Sequence, residues 1–232
     1  MIRPKRFGTQ VALRVSKRDA REASGEPMFL DTRNYGSTWR DIYRLAISIV
    51  QPRPIALVST LSVDAVKSLA PFSFYNMVSA NPPMLMFAPA HHCDPAADHC
   101  LHNIEAVKEF VVATVTERIA EAANRCSFDH PPNVDGFAAS TLTPAPARLV
   151  RPSLVAESPV NIECTLVDIK RFGKHPGAGT VVFGQIAAIH VSDGVLADDG
   201  AVDPGKLKAV GHVGRSAFAR TIDRFDLPRP PF

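Results

Sequence analysis

The chain of 232 residues has no apolar run approaching the roughly 18 residues that a membrane-spanning helix needs. Its start, MIRPKRFGTQ, is basic, but no apolar core of the kind that makes a secretory signal follows. Both absences point to a cytoplasmic protein without a membrane partner. The four cysteines, Cys93, Cys100, Cys126 and Cys164, show no CxxC spacing, so reduced thiols are expected. No glycine-rich dinucleotide fingerprint follows a strand: Gly177 and Gly179 supply a first pair, but Val182 stands where the third glycine belongs. There is no Walker loop and no GxSxG elbow. A dinucleotide, if one binds, does not use the usual motif.

Charge of one sign is also missing from most of the chain. The formal net charge is +3, but residues 1–27 hold seven Lys/Arg and three Asp/Glu, a net of +4, which leaves −1 for residues 28–232. This argues against a broad nucleic-acid-binding face on the folded part. Residues 1–27 read as a disordered or dispensable basic leader, or as a basic arm, and residues 28–232 read as one domain.

What is present is a succession of short strands with a few helices between them. Residues 40–49, RDIYRLAISI, have helical spacing of apolar groups. Pro52 and Pro54 then force extended backbone. Ile55–Thr60 reads as a strand, a turn follows around Ser62–Ala65, and Ser68–Asn76 reads as a second extended stretch. Met84–Ala88 is a third strand. Cys100–Val107 and Glu117–Cys126 are expected helices on either side of a Phe110–Val115 strand. Residues 127–158 are loop-rich and expected to lie over the surface. Pro159–Ile169 and Thr180–Val191 are long strand candidates around a turn at His175–Gly179. Both carry apolar residues on either face, which suits a closed barrel or a subunit interface. The tail from Gly211 is basic and ends extended. The whole pattern favours a mainly β fold, a β-barrel with decorating helices, over a doubly wound sheet.

The segment Gln51–Pro83 is the most informative. It reads QPRPIALVST, a turn, then SLAPFSFYNMVSANPP. Small residues at Ala70 and Pro71 permit close backbone approach, Ser73 and Ser79 offer hydroxyl donors, and Phe72, Phe74 and Tyr75 can wall a flat ring or fill the core. Together with LHNIEAVKEFVV, VDGFAASTLTP, VAESPVNIECTL and the tail VGHVGRSAFARTIDRFDLPRP, this segment resembles the flavin reductase-like family with the FMN-binding split barrel. The resemblance runs from about residue 40 to 230. It implies a split β-barrel homodimer with FMN at the subunit interface, and in many members hydride passage from a reduced nicotinamide, NAD(P)H, to the flavin. A separate oxygenase that receives reduced flavin is a further implied partner. The cofactor contacts expected on this basis are Arg53, Ser59, Thr60, Ser68, Ala70, Pro71, Phe72, Ser73, Ser79, His99, Cys100 and Asn103. No acid–base catalytic residue is expected, because alignment of two rings is the protein's task. The alternative is a flavin-binding electron carrier without NAD(P)H turnover of its own.

Arg53, held between two prolines, fits either a forked contact to phosphate or a surface salt bridge. The resemblance departs at the phosphate end. Family members commonly carry Lys-Asp-Thr before the LxNI helix, and here Asp98, His99 and Cys100 stand in those places. A helix start still offers N–H groups to an anion, but the lysine charge is replaced by a carboxylate that can itself cap the helix. Looser FMN binding is expected, with His99, if protonated, recovering part of the loss. His212 stands where the tail usually carries arginine.

The same region, HHCDPAADHCLH, gathers His91, His92, Cys93, Asp94, Asp98, His99, Cys100 and His102 within twelve residues. Imidazole and thiolate are natural zinc ligands, but the spacing matches no standard metal motif. A polar loop over the cofactor is the expected reading, without a metal. Cys126 and Cys164 are expected to be buried, inert thiols. Glu163 is expected to face solvent or a dimer partner, with acid–base work as its alternative.

Overall fold

The computed structural model describes residues 30, 32, 39–89, 98–128, 131, 133–173, 175 and 177–230. The leader, residues 1–27, and the loop residues His91, His92, Cys93 and Asp94 lie outside the described residues. The compact unit that carries the fold runs from Trp39 to Phe232. Helix α1 (Trp39–Ile49) leads into β1 (Arg53–Pro54), β2 (Ala56–Leu61), β3 (Lys67–Phe72), β4 (Tyr75–Ala80) and β5 (Pro83–Phe87). Helix α2 (His99–Val107) precedes β6 (Glu109–Thr114). The short helices α3 (Ala120–Arg125) and α4 (Gly136–Ser140) follow, then the pair β7 (Pro144–Ala145) and β8 (Leu154–Val155). The long strands β9 (Val160–Arg171) and β10 (Thr180–Val191), the turn of helix α5 (Pro204–Leu207), and the hairpin β11 (Val210–Val213) and β12 (Ala217–Arg220) complete the chain.

The main sheet has seven strands in the order β3-β2-β6-β9-β10-β5-β4, all paired antiparallel. Strands β3 and β4 therefore stand at opposite edges, yet only Ser73 and Phe74 separate them in sequence. A flat sheet of this width would hold its edges roughly 29 Å apart. Three Cα steps span at most about 11 Å. The sheet must curl until its edges meet at Phe72–Tyr75, and contact of the Phe72 and Phe87 rings, 5.0 Å between centroids, marks the closure. No ladder joins β3 to β4 among the described residues, so the barrel stays split along that seam. The expectation of one extended stretch over Ser68–Asn76 is corrected here. The chain breaks at Ser73–Phe74 because its two halves belong to the two edges.

Alternation along β2 distributes side chains between two cores. Ala56 and Val58 point into the barrel, with Leu85, Phe87, Phe110, Val112, Cys164 and Val182, and Leu101 and Ile104 of α2 pack against them. Leu57 points outward, onto Leu69, Ala113, Ile119, Ala123, Phe137, Leu142 and Val155. Burying both faces explains why β2 reads as a continuous apolar run. Residues 127–158 therefore do more than lie over the surface: Phe137, Leu142 and Val155 are buried parts of the outer core. The helix expected over Glu117–Cys126 is shorter, because Thr116 bridges Ala209 and the Glu117 N–H donates to the Lys208 carbonyl at 3.0 Å, which keeps that stretch extended. In the tail, β11 and β12 form a hairpin that pairs with β1, setting His212 opposite Arg53.

Glu163 faces neither solvent nor a partner. It is fully buried, and its carboxylate accepts the backbone N–H groups of Arg148 at 2.9 Å, Leu149 at 2.6 Å and Val150 at 2.9 Å. This carboxylate pins the loop before β8 to the sheet. Cys126 and Cys164 are buried, as expected.

Candidate functional site

A cavity of about 590 Å3 opens along β3, the terminal strand of the sheet. A terminal strand spends one backbone edge on its ladder, here with β2, and leaves the other free for N–H and C=O contacts. Pro71, which has no N–H, is tolerated because it sits on such a strand. The start of α2, the turn before β3 and the segment around Cys126–Gly136 supply the remaining walls. Helix α4 comes close because residue 136 is glycine: a Cβ there would lie 2.7 Å from the Leu69 backbone nitrogen. Asp135 starts that helix, accepting from Phe137 N at 2.8 Å, and its carboxylate also stands 3.8 Å from Lys67 Nζ.

The structure brings Ser68, Ala70, Pro71, Phe72, His99, Cys100 and Asn103 together around this cavity. Thr60 stands behind them, its hydroxyl accepting from Asn103 Nδ2 at 3.0 Å, which orients the amide. Arg53, Ser59 and Ser79 line neither this cavity nor its neighbour. Ser59 is fully buried, with a hydroxyl that has no hydrogen-bond partner among the described residues. Ser79 lies on β4, the opposite edge of the sheet.

Among the described residues Arg53 forms no surface salt bridge, one of its two sequence readings. It is buried, and Nη1 donates to the Ile47 and Val50 carbonyls at 2.6 and 2.9 Å, capping the end of α1. Nη2 donates to the Gly214 carbonyl at 3.1 Å, and Nε reaches Ser73 Oγ at 3.4 Å. The guanidinium thus ties α1, the tail hairpin and the β3–β4 corner together. Asp98 also departs from expectation: it holds the N-cap position of α2, but its side chain makes no capping hydrogen bond.

A second chamber of about 350 Å3 adjoins the first, with Pro71 and Ser127 in both linings. Ser73, Asn124, His212, Arg215 and Phe218 line it. His212 stacks on Phe218 at 5.2 Å between centroids, with Nδ1 3.3 Å from Ser73 Oγ. Burial, then the charge of Arg53, lower the His212 pKa against an upward pull from the Arg215 carbonyl, so the ring is neutral at pH 7.

Sequence reasoning missed the wall made by Cys126, Ser127, Phe128, Pro131, Asn133, Val134 and Gly136, and also Asp64 and His102, all of which line the larger cavity. The one local signal was Asp135-Gly136-Phe137, an N-cap residue before a glycine and a core aromatic. No metal-binding group forms among the described residues.

The thiols facing the larger cavity are poor nucleophiles. Burial first, and then Asp98, push Cys100 well above its ordinary value. Burial also raises Cys126, although Ser140, its own backbone contact and Arg125 pull it back. Tyr75 is pushed up to about 12 by burial and then by Cys164. None of these groups is poised for proton transfer at neutral pH.

An isoalloxazine and its ribityl chain fit this donor set. The open strand edge, Ser68 and Asn103 can meet the polar ring edge and the hydroxyls, and Ala70–Phe72 is a low wall for the ring. A phosphate fits poorly: the described lining contains no lysine or arginine and does contain Asp64 and Asp98.

Residues 50–209 match the flavin reductase like domain. The fold superposes on nitrilotriacetate monooxygenase component B from Bacillus cereus with a TM-score of 0.79 and 25% identity, covering 87% of this chain and 100% of that one. For the 2-nitrobenzoate 2-nitroreductase of Pseudomonas fluorescens the values are 0.78 and 29%, over 88% and 98%. A split-barrel protein from Shewanella frigidimarina gives 0.75 and 20%, over 88% and 100%, a likeness of fold. The split barrel, the open edge of β3 and the match over residues 50–209 agree, and the chain belongs to the flavin reductase-like family.

Proposed function

We propose that this protein is a flavin-dependent oxidoreductase that passes hydride from NAD(P)H to a flavin held along β3. The observation that carries this reading is the backbone edge of β3 that no strand pairs among the described residues, beside a cavity of about 590 Å3. Bound there, the flavin supplies the electron-accepting centre at its N5. Ala70, Pro71 and Phe72 set the plane of the ring, and Ser68 and Asn103 meet its polar periphery. The adjoining chamber, floored by the His212–Phe218 stack and edged by Arg215, offers a place for the nicotinamide beside it. With the thiols and Tyr75 held protonated, the residues contribute alignment and exclusion of water rather than proton transfer.

A homodimer is part of the proposal. Strand β4 exposes Met77 and Val78, and the outer reaches of β9 and β10 expose Val167 and Ile189, apolar surface that a second copy would cover. Free thiols at Cys100, Cys126 and Cys164 agree with a reducing compartment, the cytoplasm. The likeness to a monooxygenase component B supports delivery of reduced flavin to a separate oxygenase. Anaerobic mixing of flavin-loaded protein with NADH or NADPH tests the reading through bleaching of the oxidised-flavin band near about 450 nm. Flavin that binds but stays oxidised with both nucleotides would contradict turnover and leave an electron carrier.

A further inference from the structure

The second chamber, of about 350 Å3, joins an apolar wall to positive charge, and among the described residues no aspartate or glutamate lines it. Arg215 stands in the turn between β11 and β12, and its guanidinium makes no ion pair or hydrogen bond among the described residues. Behind it lies Arg53, 4% exposed, which donates to three carbonyls and to Ser73 Oγ and pairs with no carboxylate among the described residues either. Carbonyl dipoles solvate a guanidinium but leave its net charge in place. That charge reaches the chamber: after burial itself, it is what lowers the His212 pKa. His212 Nε2 lies 3.3 Å from the Arg215 carbonyl, which only accepts, so Nε2 carries the proton and Nδ1 takes the Ser73 hydroxyl proton. The Ser127 hydroxyl is likewise spent, on the Asn124 carbonyl at 2.6 Å. The donors left to meet a ligand are Arg215 and the side chains of Asn124 and Ser216, which have no hydrogen bond of their own among the described residues. Phe218 stacks on His212 yet keeps 43% of its surface exposed, and Ile55, Pro71, Ala120 and Ala123 extend the apolar wall.

We propose that this chamber is a binding site for a small aromatic carboxylate, with its ring against Phe218 and its carboxylate forked on Arg215 beside Asn124 and Ser216. A volume of about 350 Å3 lies at the small end of ligand sites, which run from about 300 to 1,000 Å3, and suits one ring with one charged substituent. A guanidinium matches the two oxygens of a planar carboxylate with two parallel N–H groups. The charges of Arg53 and Arg215 add in favour of an anion over a neutral ligand of the same shape. The site stands on the chamber itself. Its consequence for turnover rests on the flavin reading above: the ring of the carboxylate takes the place offered to the nicotinamide, so the two exclude each other.

Calorimetric titration of the full chain at about pH 7.5, where carboxylic acids are ionised, tests the site with three probes. Benzoate carries ring and charge, benzamide the ring alone, and acetate the charge alone. Benzoate should bind about ten-fold tighter than either of the others. Arg215→Gln, on an exposed turn, should bring benzoate down to the level of benzamide and leave the thermal melt unchanged, and Arg215→Lys should restore part of the difference. No benzoate binding, equal affinity for benzoate and benzamide or for benzoate and acetate, or an Arg215→Gln protein that binds benzoate as before would each overturn the inference. In flavin-loaded protein, benzoate should also slow bleaching by NADH or NADPH, and more nucleotide should reverse this. Benzoate that binds through Arg215 yet leaves the bleaching rate unchanged would move the nicotinamide out of the chamber and leave the carboxylate site in place, so the two readings fail separately.

Discussion

Glu163 on β9 and His190 on β10 are in hydrogen-bond contact through Oε1 and Nε2, and the same carboxylate gathers three consecutive backbone N–H groups from residues 148–150. Burial, the largest influence on Glu163, pulls its pKa up. The N–H of Arg148, the His190 side chain and the N–H groups of Leu149 and Val150 outweigh it, and the net shift is downward. A carboxyl held below its unfolded value, near about 4.3, contributes stability that is full above that value and is lost as pH falls through the folded value. Urea unfolding across a pH series should therefore show wild-type stability falling below about pH 4, with Glu163→Gln less stable at neutrality by about 2–3 kcal/mol and less sensitive to acid. Parallel acid profiles for the two proteins would contradict this role.

Arg53 and His212 face each other across the β1–β11 ladder, and Arg53's charge contributes to the low His212 pKa. Arg53→Gln should raise the His212 pKa toward the ordinary imidazole range, readable by NMR titration. It should also cost about 3 kcal/mol, because the carbonyls of Ile47, Val50 and Gly214 lose a charged donor. An unmoved titration would show that this charge does not reach His212.

Gly184 lies on β10, packed against the barrel core. A Cβ there would stand 2.3 Å from Phe110 Cζ and 3.3 Å from Cys164 Cβ, and both neighbours are fully buried. Gly184→Ala is expected to destabilise by about 1–3 kcal/mol through overpacking, seen as a lower Tm. Gly136→Ala meets backbone rather than a side chain, at Leu69 N, so α4 must back away from the cavity wall. Flavin affinity should then fall by roughly ten-fold, measured by titration against a thermal melt that reports the fold separately.

The sequence exposed features whose cause is local. Apolar, β-branched runs and proline placement located β2, β9, β10 and the start of β3, and helical spacing located α1 and α2, within a residue or two. The wall formed by Ser68–Phe72, His99, Cys100 and Asn103 was legible through family resemblance and the small residues at 70 and 71. What stayed hidden depends on distant partners. The guanidinium of Arg53 finds a carbonyl 161 residues away in sequence, at Gly214, and no pattern around two prolines announces that. Glu163 reads as a polar strand residue until the loop 148–150 is folded against it. The break at Ser73–Phe74 follows from closure of the sheet, whereas the residues themselves continue an extended pattern. Phe137 and Leu142 were obscured by the prolines around them, which signal irregular backbone and say nothing about burial.

The central claim is that the free edge of β3 holds the flavin through backbone contacts. Hydrogen–deuterium exchange with and without saturating flavin tests it most directly. The account predicts slowed exchange in the peptide spanning Lys67–Phe72 and at the start of α2, with β4 changing only if a second copy closes over it. Bound flavin that leaves exchange in Lys67–Phe72 untouched, while protecting some other part of the chain, would contradict it.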